Sequence, residues 1–416
     1  MRRALSISGA AAVVACALLL ANVAMSSAAG PSAARDLRFA GIVPPRTSGQ
    51  QWSKGSGDLT YHGGPVMYSD TLYAIFWDPG GQFAPAYEQL IEGWIHDVAA
   101  DDGKPTNAFA IATQYGDGHG GFGYGISYGG AAVDTQPYPA NGCPLYPGVS
   151  RCLLDSQFAQ EVDRFRLSQG WPSDLTHEYM FFTPSGIGSC FYSNGTNCAY
   201  STYCAYHLPT AQYGTVYSNM PYPENGSYPG ACDAGQHPNG HKGQGSAAAD
   251  AAINLSSHEI IESVTDPGWQ TAWFDSVHYE IADKCVWLFG TLRGMPGAEY
   301  NQVINGNKYI MQEEYSNQIH DCPQFSPFLA LSPSSGPAGR TVRIRATVGG
   351  LSWSGQVTIA MGSHPVNGSF VLDAYGNAWV RPLVFHQDRT LPPGNYTVTV
   401  TDAGTGVQVS APYTIT

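Results

Sequence analysis

Charge is scarce in this chain. Of its 416 residues only 12% are Asp, Glu, Lys or Arg, and 19 basic residues face 32 acidic ones, for a net charge of −13. No basic run occurs. A surface of this sign repels phosphate backbones and anionic lipid, which excludes a nucleic-acid partner. A phosphate-binding Gly-x-x-x-x-Gly-Lys loop is absent. So is any Cys-x-x-Cys pair, which argues against zinc-ribbon ligation. Beyond Met25 no apolar run is long enough to span a bilayer, so no membrane anchor is expected after leader removal.

What is present points outward from the cell. Met1-Arg2-Arg3 is a basic start, Gly9 to Met25 is apolar, and Ser26-Ser27-Ala28-Ala29 offers small residues for cleavage, so residues 1–29 read as a secretory signal peptide. Of the nine cysteines, Cys16 falls in that leader. The other eight are Cys143, Cys152, Cys190, Cys198, Cys204, Cys232, Cys285 and Cys322. An even set in an exported chain predicts disulfides, whose pairing the residues leave open.

Residues 30–57 are rich in Ser, Gly, Pro and Arg and read as a linker or disordered lead-in, with order expected from Leu59. Thr71 to Trp77 is a short apolar run closed by Asp78-Pro79-Gly80, which predicts a buried strand; His177 to Thr183 reads the same way. Leu90, Ile91, Trp94, Ile95 and Val98 recur at helical spacing over residues 86–100. Phe158, Val162 and Phe165 mark a second helix, with Asp155 as its N-cap. Pro184 to Gly245 reads as a disulfide-held excursion with one strand near Tyr213 to Asn219. After Ser326 the pattern changes. Residues 341–346, 356–360 and 395–400 alternate with period two, Asp373 to Asn377 looks like a hairpin tip, and no cysteine occurs. The expectation is an α+β domain over 58–325, with a zincin-like motif helix and disulfide-rich loops, followed by an all-β immunoglobulin-like sandwich over 326–416.

The chemistry concentrates in Ser257-His258-Glu259-Ile260-Ile261-Glu262 and Glu280-Ile281-Ala282-Asp283-Lys284-Cys285. On a helix over 244–264, His258 and Glu262 are one turn apart and can grip one ion. Glu259 then stands where a metallohydrolase keeps its general base. Glu280 supplies a third ligand, and Asp283 braces His258 through its other ring nitrogen. In this the segment is similar to gluzincin-type zinc peptidases, with Glu262 in place of their second His. The plainer explanation is an amphipathic helix turning Asp250, Asn254, His258 and Glu262 to water. His207, after Cys204-Ala205-Tyr206, is a candidate catalytic donor. His62 reads as part of a turn, and Gly116 to Gly125 as a loop rather than a calcium site.

Several segments together resemble the EXORDIUM, or phosphate-induced, family of secreted proteins of plants and bacteria. They are Leu59 to Pro65, Leu72 to Trp77, Cys204 to His207, Ser257 to Glu262, Trp273 and Glu280 to Cys285. The resemblance covers residues 59–322 and implies an extracellular or cell-wall location and a Cys285–Cys322 disulfide. The reading is therefore a secreted metal-dependent hydrolase, most simply a peptidase, with one divalent ion, zinc by its ligand types. Its partners would be an extracellular protein or a cell-wall polymer. The alternative is a non-catalytic extracellular binding protein with a structural ion.

Overall fold

The structure is a computed structural model, and it describes residues 41–46, 56–212, 214–240, 245–351 and 355–416. The expected signal peptide lies outside the described residues. The chain is mixed α/β and rich in strands.

Its first sheet has six strands in the order β1-β8-β9-β6-β3-β4. These are β1 (Ile42–Val43), β3 (Asp70–Trp77), β4 (Ile126–Asp134), β6 (His177–Thr183), β8 (Ala205–Pro209) and β9 (Val216–Pro221). Strands β9, β6, β3 and β4 run parallel, while β8 and β1 are antiparallel additions at one edge. Parallel neighbours need crossovers, and helices supply those on the β3, β4 and β6 side, while β7 (Ile187–Cys190) and β8 lie in the connection from β6 to β9. Helix α1 (Pro85–Ala100) joins β3 to β4, and α2 (Asp155–Gln169) lies between β4 and β6. The apolar run of β3 is explained by burial on both faces. Phe76 meets Tyr87 of α1, and its neighbour Trp77 meets Phe158 of α2. Successive side chains point to opposite faces, so one continuous apolar strand serves two helical layers.

Helix α3 (Ser246–Thr265) packs against α1 and across β8, β9 and β1. Small strands complete this part: β2 (Thr60–Tyr61) with β10 (Trp273–Phe274), β5 (Arg151–Leu154) with β7 (Ile187–Cys190), and β11 (Gln302–Ile304) with β12 (Asn307–Tyr309). Disulfides join Cys143–Cys152, Cys190–Cys198, Cys204–Cys232 and Cys285–Cys322. One apolar core runs from Ile42 to Cys322.

A second core runs from Ile344 to Ile415. It fills the space between a three-stranded sheet, β13 (Phe328–Ser332), β15 (Arg343–Gly349) and β18 (Leu383–His386), and a five-stranded one. The latter comprises β14 (Ser335–Gly336), β16 (Gln356–Met361), β17 (His364–Val371), β19 (Gly394–Asp402) and β20 (Gln408–Ile415). Inward Val398 and Val400 alternate with outward residues, as the period-two pattern requires.

Several expectations need correction. Ile42 and Val43, placed in the lead-in, are part of the sheet: they are buried and pair with Tyr206 and Ala205. A β-branched pair at a free edge finds backbone partners that its Ser- and Gly-rich surroundings conceal. The excursion after Pro184 carries three strands, β7, β8 and β9, not one. Asp155 does not cap α2. The cap position is Leu154, whose N–H donates to Gln157 Oε1 (2.9 Å), while Asp155 accepts the hydroxyls of Tyr206 and Tyr217. Asp373 to Asn377 is a turn, but it connects strands of different sheets and is not a hairpin tip.

Candidate metal centre

Helix α3 begins after Gly245, whose φ of +80° a side chain would strain, and carries alanine at positions 247–249, 251 and 252. Small side chains let it sink between α1 and the sheet. All 20 of its residues are buried, so the amphipathic reading with a polar face to water is overturned. A helix buried all round has no solvent face, and His258, Glu259 and Glu262 are each at 0% exposure.

The predicted i, i+4 pair forms: His258 Nε2 lies 3.1 Å from Glu262 Oε1. Asp283, at the head of a 3-10 turn, brings Oδ1 to 3.8 Å from His258 Nε2, and its N–H donates to Glu262 Oε1 (3.0 Å). His258, Glu262 and Asp283 thus each offer an atom within 4.8 Å of the others. The predicted third ligand, Glu280, is not in this group. Its Oε2 lies 3.7 Å from His207 Nε2, and its N–H donates to Asp283 Oδ2 (3.2 Å). Asp283, expected to brace, joins His258 and Glu262 in the convergent group.

His207 enters from β8. Its Nδ1 is 3.1 Å from Glu259 Oε2 and 3.7 Å from Glu262 Oε2, and its Nε2 is 3.2 Å from the Asp266 carbonyl. His207, Glu259 and Glu262 form a second convergent group. Disulfides flank both approaches: Cys204 precedes His207 on β8, and Cys285 follows Asp283 in the turn.

The electrostatics are unusual. Burial pushes Glu262 up to about 8. Burial, reinforced by neighbouring carboxylates, holds Glu259, Glu280, Asp283 and Glu314 well above the carboxylate range. Lys284, next to Asp283 in sequence, is turned to Asp275 Oδ2 (2.8 Å) and Ser56 Oγ (2.9 Å). Glu259 Oε1, Glu262 Oε2, His258 Nε2 and both oxygens of Glu280 make no hydrogen bond. Buried polar atoms without partners cost on the order of 1–3 kcal/mol each, more when charged. Nitrogen and carboxylate oxygens held this close together offer a donor set that a cation can occupy. These residues can hold a divalent ion, and nothing in the donor set fixes which one.

Comparison of the chain with family models, with curated proteins and with solved structures finds no match. The site therefore rests on its own geometry.

Sequence reasoning missed four contributors. Gly41 lies against the centre: a Cβ there would meet His207 Cε1 at 3.0 Å and Glu280 Oε1 at 3.5 Å. Asp266 orients His207 by its carbonyl, which no side-chain pattern reveals. Glu178 is fully buried on β6 and influenced by His207. Glu314 is also fully buried; the acidic pair Glu313-Glu314 between Met311 and Tyr315 was its one legible signal. Elsewhere, His62 stacks on Phe274 with centroids 3.6 Å apart, and Asp117 accepts the His119 and Gly120 N–H groups in its loop. Gly125-Ile126-Ser127-Tyr128-Gly129 has the spacing of a serine-nucleophile elbow, but it runs into strand β4 with Ser127 exposed, not into a strand-to-helix turn.

Proposed function

We propose that the chain is a secreted metal-dependent hydrolase of the peptidase class, with His258, Glu262 and Asp283 holding a divalent cation and His207–Glu259 handling protons beside it. The observation that carries this reading is the pair of convergent groups, His258–Glu262–Asp283 and His207–Glu259–Glu262, with unpartnered Glu259 Oε1, Glu262 Oε2 and His258 Nε2. One nitrogen and two oxygens suit zinc, or a harder first-row ion. A cation bound there supplies Lewis acidity to a carbonyl or water oxygen. Glu259 Oε1 is free to take a proton from water, and His207, against Glu259 Oε2, can return one to a leaving group. The Asp266 carbonyl holds His207 in that orientation. Strand β1 supports a peptide as substrate. Its antiparallel seat on β8, with Gly41 against His207, is the pose an extended peptide takes when it adds to a sheet edge.

The same proposal places the region up to 325 with the EXORDIUM-like, zincin-like α+β proteins and reads 326–416 as an immunoglobulin-like module. The four disulfides support an oxidising, extracellular or wall-associated setting, where a protein or cell-wall polymer would be met.

The complete burial of the donors favours a second reading, a non-catalytic extracellular binding protein with a structural ion. Metal analysis and peptide hydrolysis, on the parent and on Glu259→Gln, separate the two. The hydrolase reading expects at least one ion in both proteins and hydrolysis only by the parent. Metal in both with hydrolysis in neither favours the structural ion. A parent without metal removes both readings.

A further inference from the structure

The centre contains more donors than one ion uses. His258, Glu262 and Asp283 converge, as do His207, Glu259 and Glu262, but among the described residues no convergent set contains both histidines. Glu262 belongs to both sets through different oxygens: Oε1 is 3.1 Å from His258 Nε2, and Oε2 is 3.7 Å from His207 Nδ1. A carboxylate that presents its two oxygens to two imidazoles in this way is placed to bridge two cations.

Charge balance points the same way. Glu259, Glu262, Glu280, Asp283 and Glu314 bring five carboxyl groups into a region where none exceeds 3% exposure. Buried carboxylates persist when paired or neutralised. Glu262 also lies in the last turn of α3, where the helix dipole disfavours anions and favours cations.

We infer that the protein binds a second divalent cation at His207, Glu259 and Glu262, bridged to the first by the Glu262 carboxylate. The inference rests on the first-ion reading proposed above. Two ions sharing one carboxylate would stand about 3.5–4 Å apart, the spacing of two-metal hydrolytic centres. His207 fits the role, since an Nε2–H donated to the Asp266 carbonyl leaves the Nδ1 lone pair facing Glu259 and Glu262, and as a ligand it gives up the proton return described above, which leaves Glu259 Oε1 as the proton carrier. Glu259 binds through Oε2 and keeps Oε1 for a proton. Glu280 approaches His207 on its Nε2 side and belongs to neither set, so it balances charge without ligating.

The test is metal stoichiometry of the full-length protein, stripped by chelator and reloaded with zinc chloride or manganese chloride. Two equivalents are expected, and the manganese form should give the exchange-coupled electron paramagnetic resonance signal of carboxylate-bridged ions. His207→Ala should retain about one equivalent and lose the coupling; Asp283→Ala should also lose one. A parent with one equivalent overturns the second ion and leaves the proposed function standing. A parent with none overturns both. Two equivalents without coupling, or undiminished in His207→Ala, overturn the Glu262 bridge. The parent measurements decide the matter even where a core variant fails to fold.

Discussion

Helix α3 and the C-terminal sheets bury their residues under different rules. The sheets enclose Ile344, Val348, Val398 and Val400, and their buried polar side chains are served. Gln387 donates to Pro337 and Arg340 carbonyls and accepts from Tyr413, and Asp402 accepts the Gly404 and Thr405 N–H groups. Helix α3 encloses His258, Glu259 and Glu262 with several atoms unserved. The sheets follow the ordinary economy of a core. The helix departs from it most densely at His258, Glu259 and Glu262, and such departures are where function is to be sought.

The largest expected effect separates the regions outright. Chelation should destabilise α3 and its surroundings by about 3–4 kcal/mol if metal is held at 100 to 1,000 times its dissociation constant. Hydrogen exchange should rise over residues 246–265 and stay unchanged over β19 and β20. Equal protection with and without chelator would erase the contrast. Next comes the disulfide pattern. Cys285→Ser with Cys322→Ser opens a loop of sequence separation 37 and should cost about 2–5 kcal/mol in denaturant unfolding. It should also weaken metal uptake, because Asp283 loses its anchor, while the cysteine-free C-terminal sheets keep their own midpoint.

A pH scan sharpens the comparison within α3 itself. Burial pushes Asp250, which accepts from Asn239, above the ordinary aspartate range to about 6. The folded state therefore holds its proton where the unfolded chain has released it. Stability should fall as pH rises from about 4 to 6 and then level, by about 1–3 kcal/mol. Asp250→Asn should flatten that segment of the profile; an unchanged slope would assign it to other groups. The smallest effect belongs to the C-terminal core. Ile344→Val removes one methylene at a fully buried site and should cost about 0.5–1.5 kcal/mol with no change in metal content.

Much of the fold was legible because its elements carry strong local signals. The buried strands at 70–77 and 177–183 and the helix at 85–100 follow from apolar runs and helical spacing. Strand β1 was not legible, since two residues make a strand only when an edge is waiting for them. Asp155 looked like a cap because local pattern ignores the hydroxyls of Tyr206 and Tyr217, brought from 51 and 62 residues away.

The sequence by itself determined the helical pairing of His258 with Glu262, because the α-helix fixes one-turn neighbours whatever surrounds them. It also determined the low charge, the eight cysteines of the region and the alternation of the C-terminal strands. Only the tertiary structure decided that this helix has no wet face, that Asp283 and not Glu280 completes the His258 group, and that His207 faces Glu259. Each of those depends on contacts between segments far apart in the chain, and no local period encodes them.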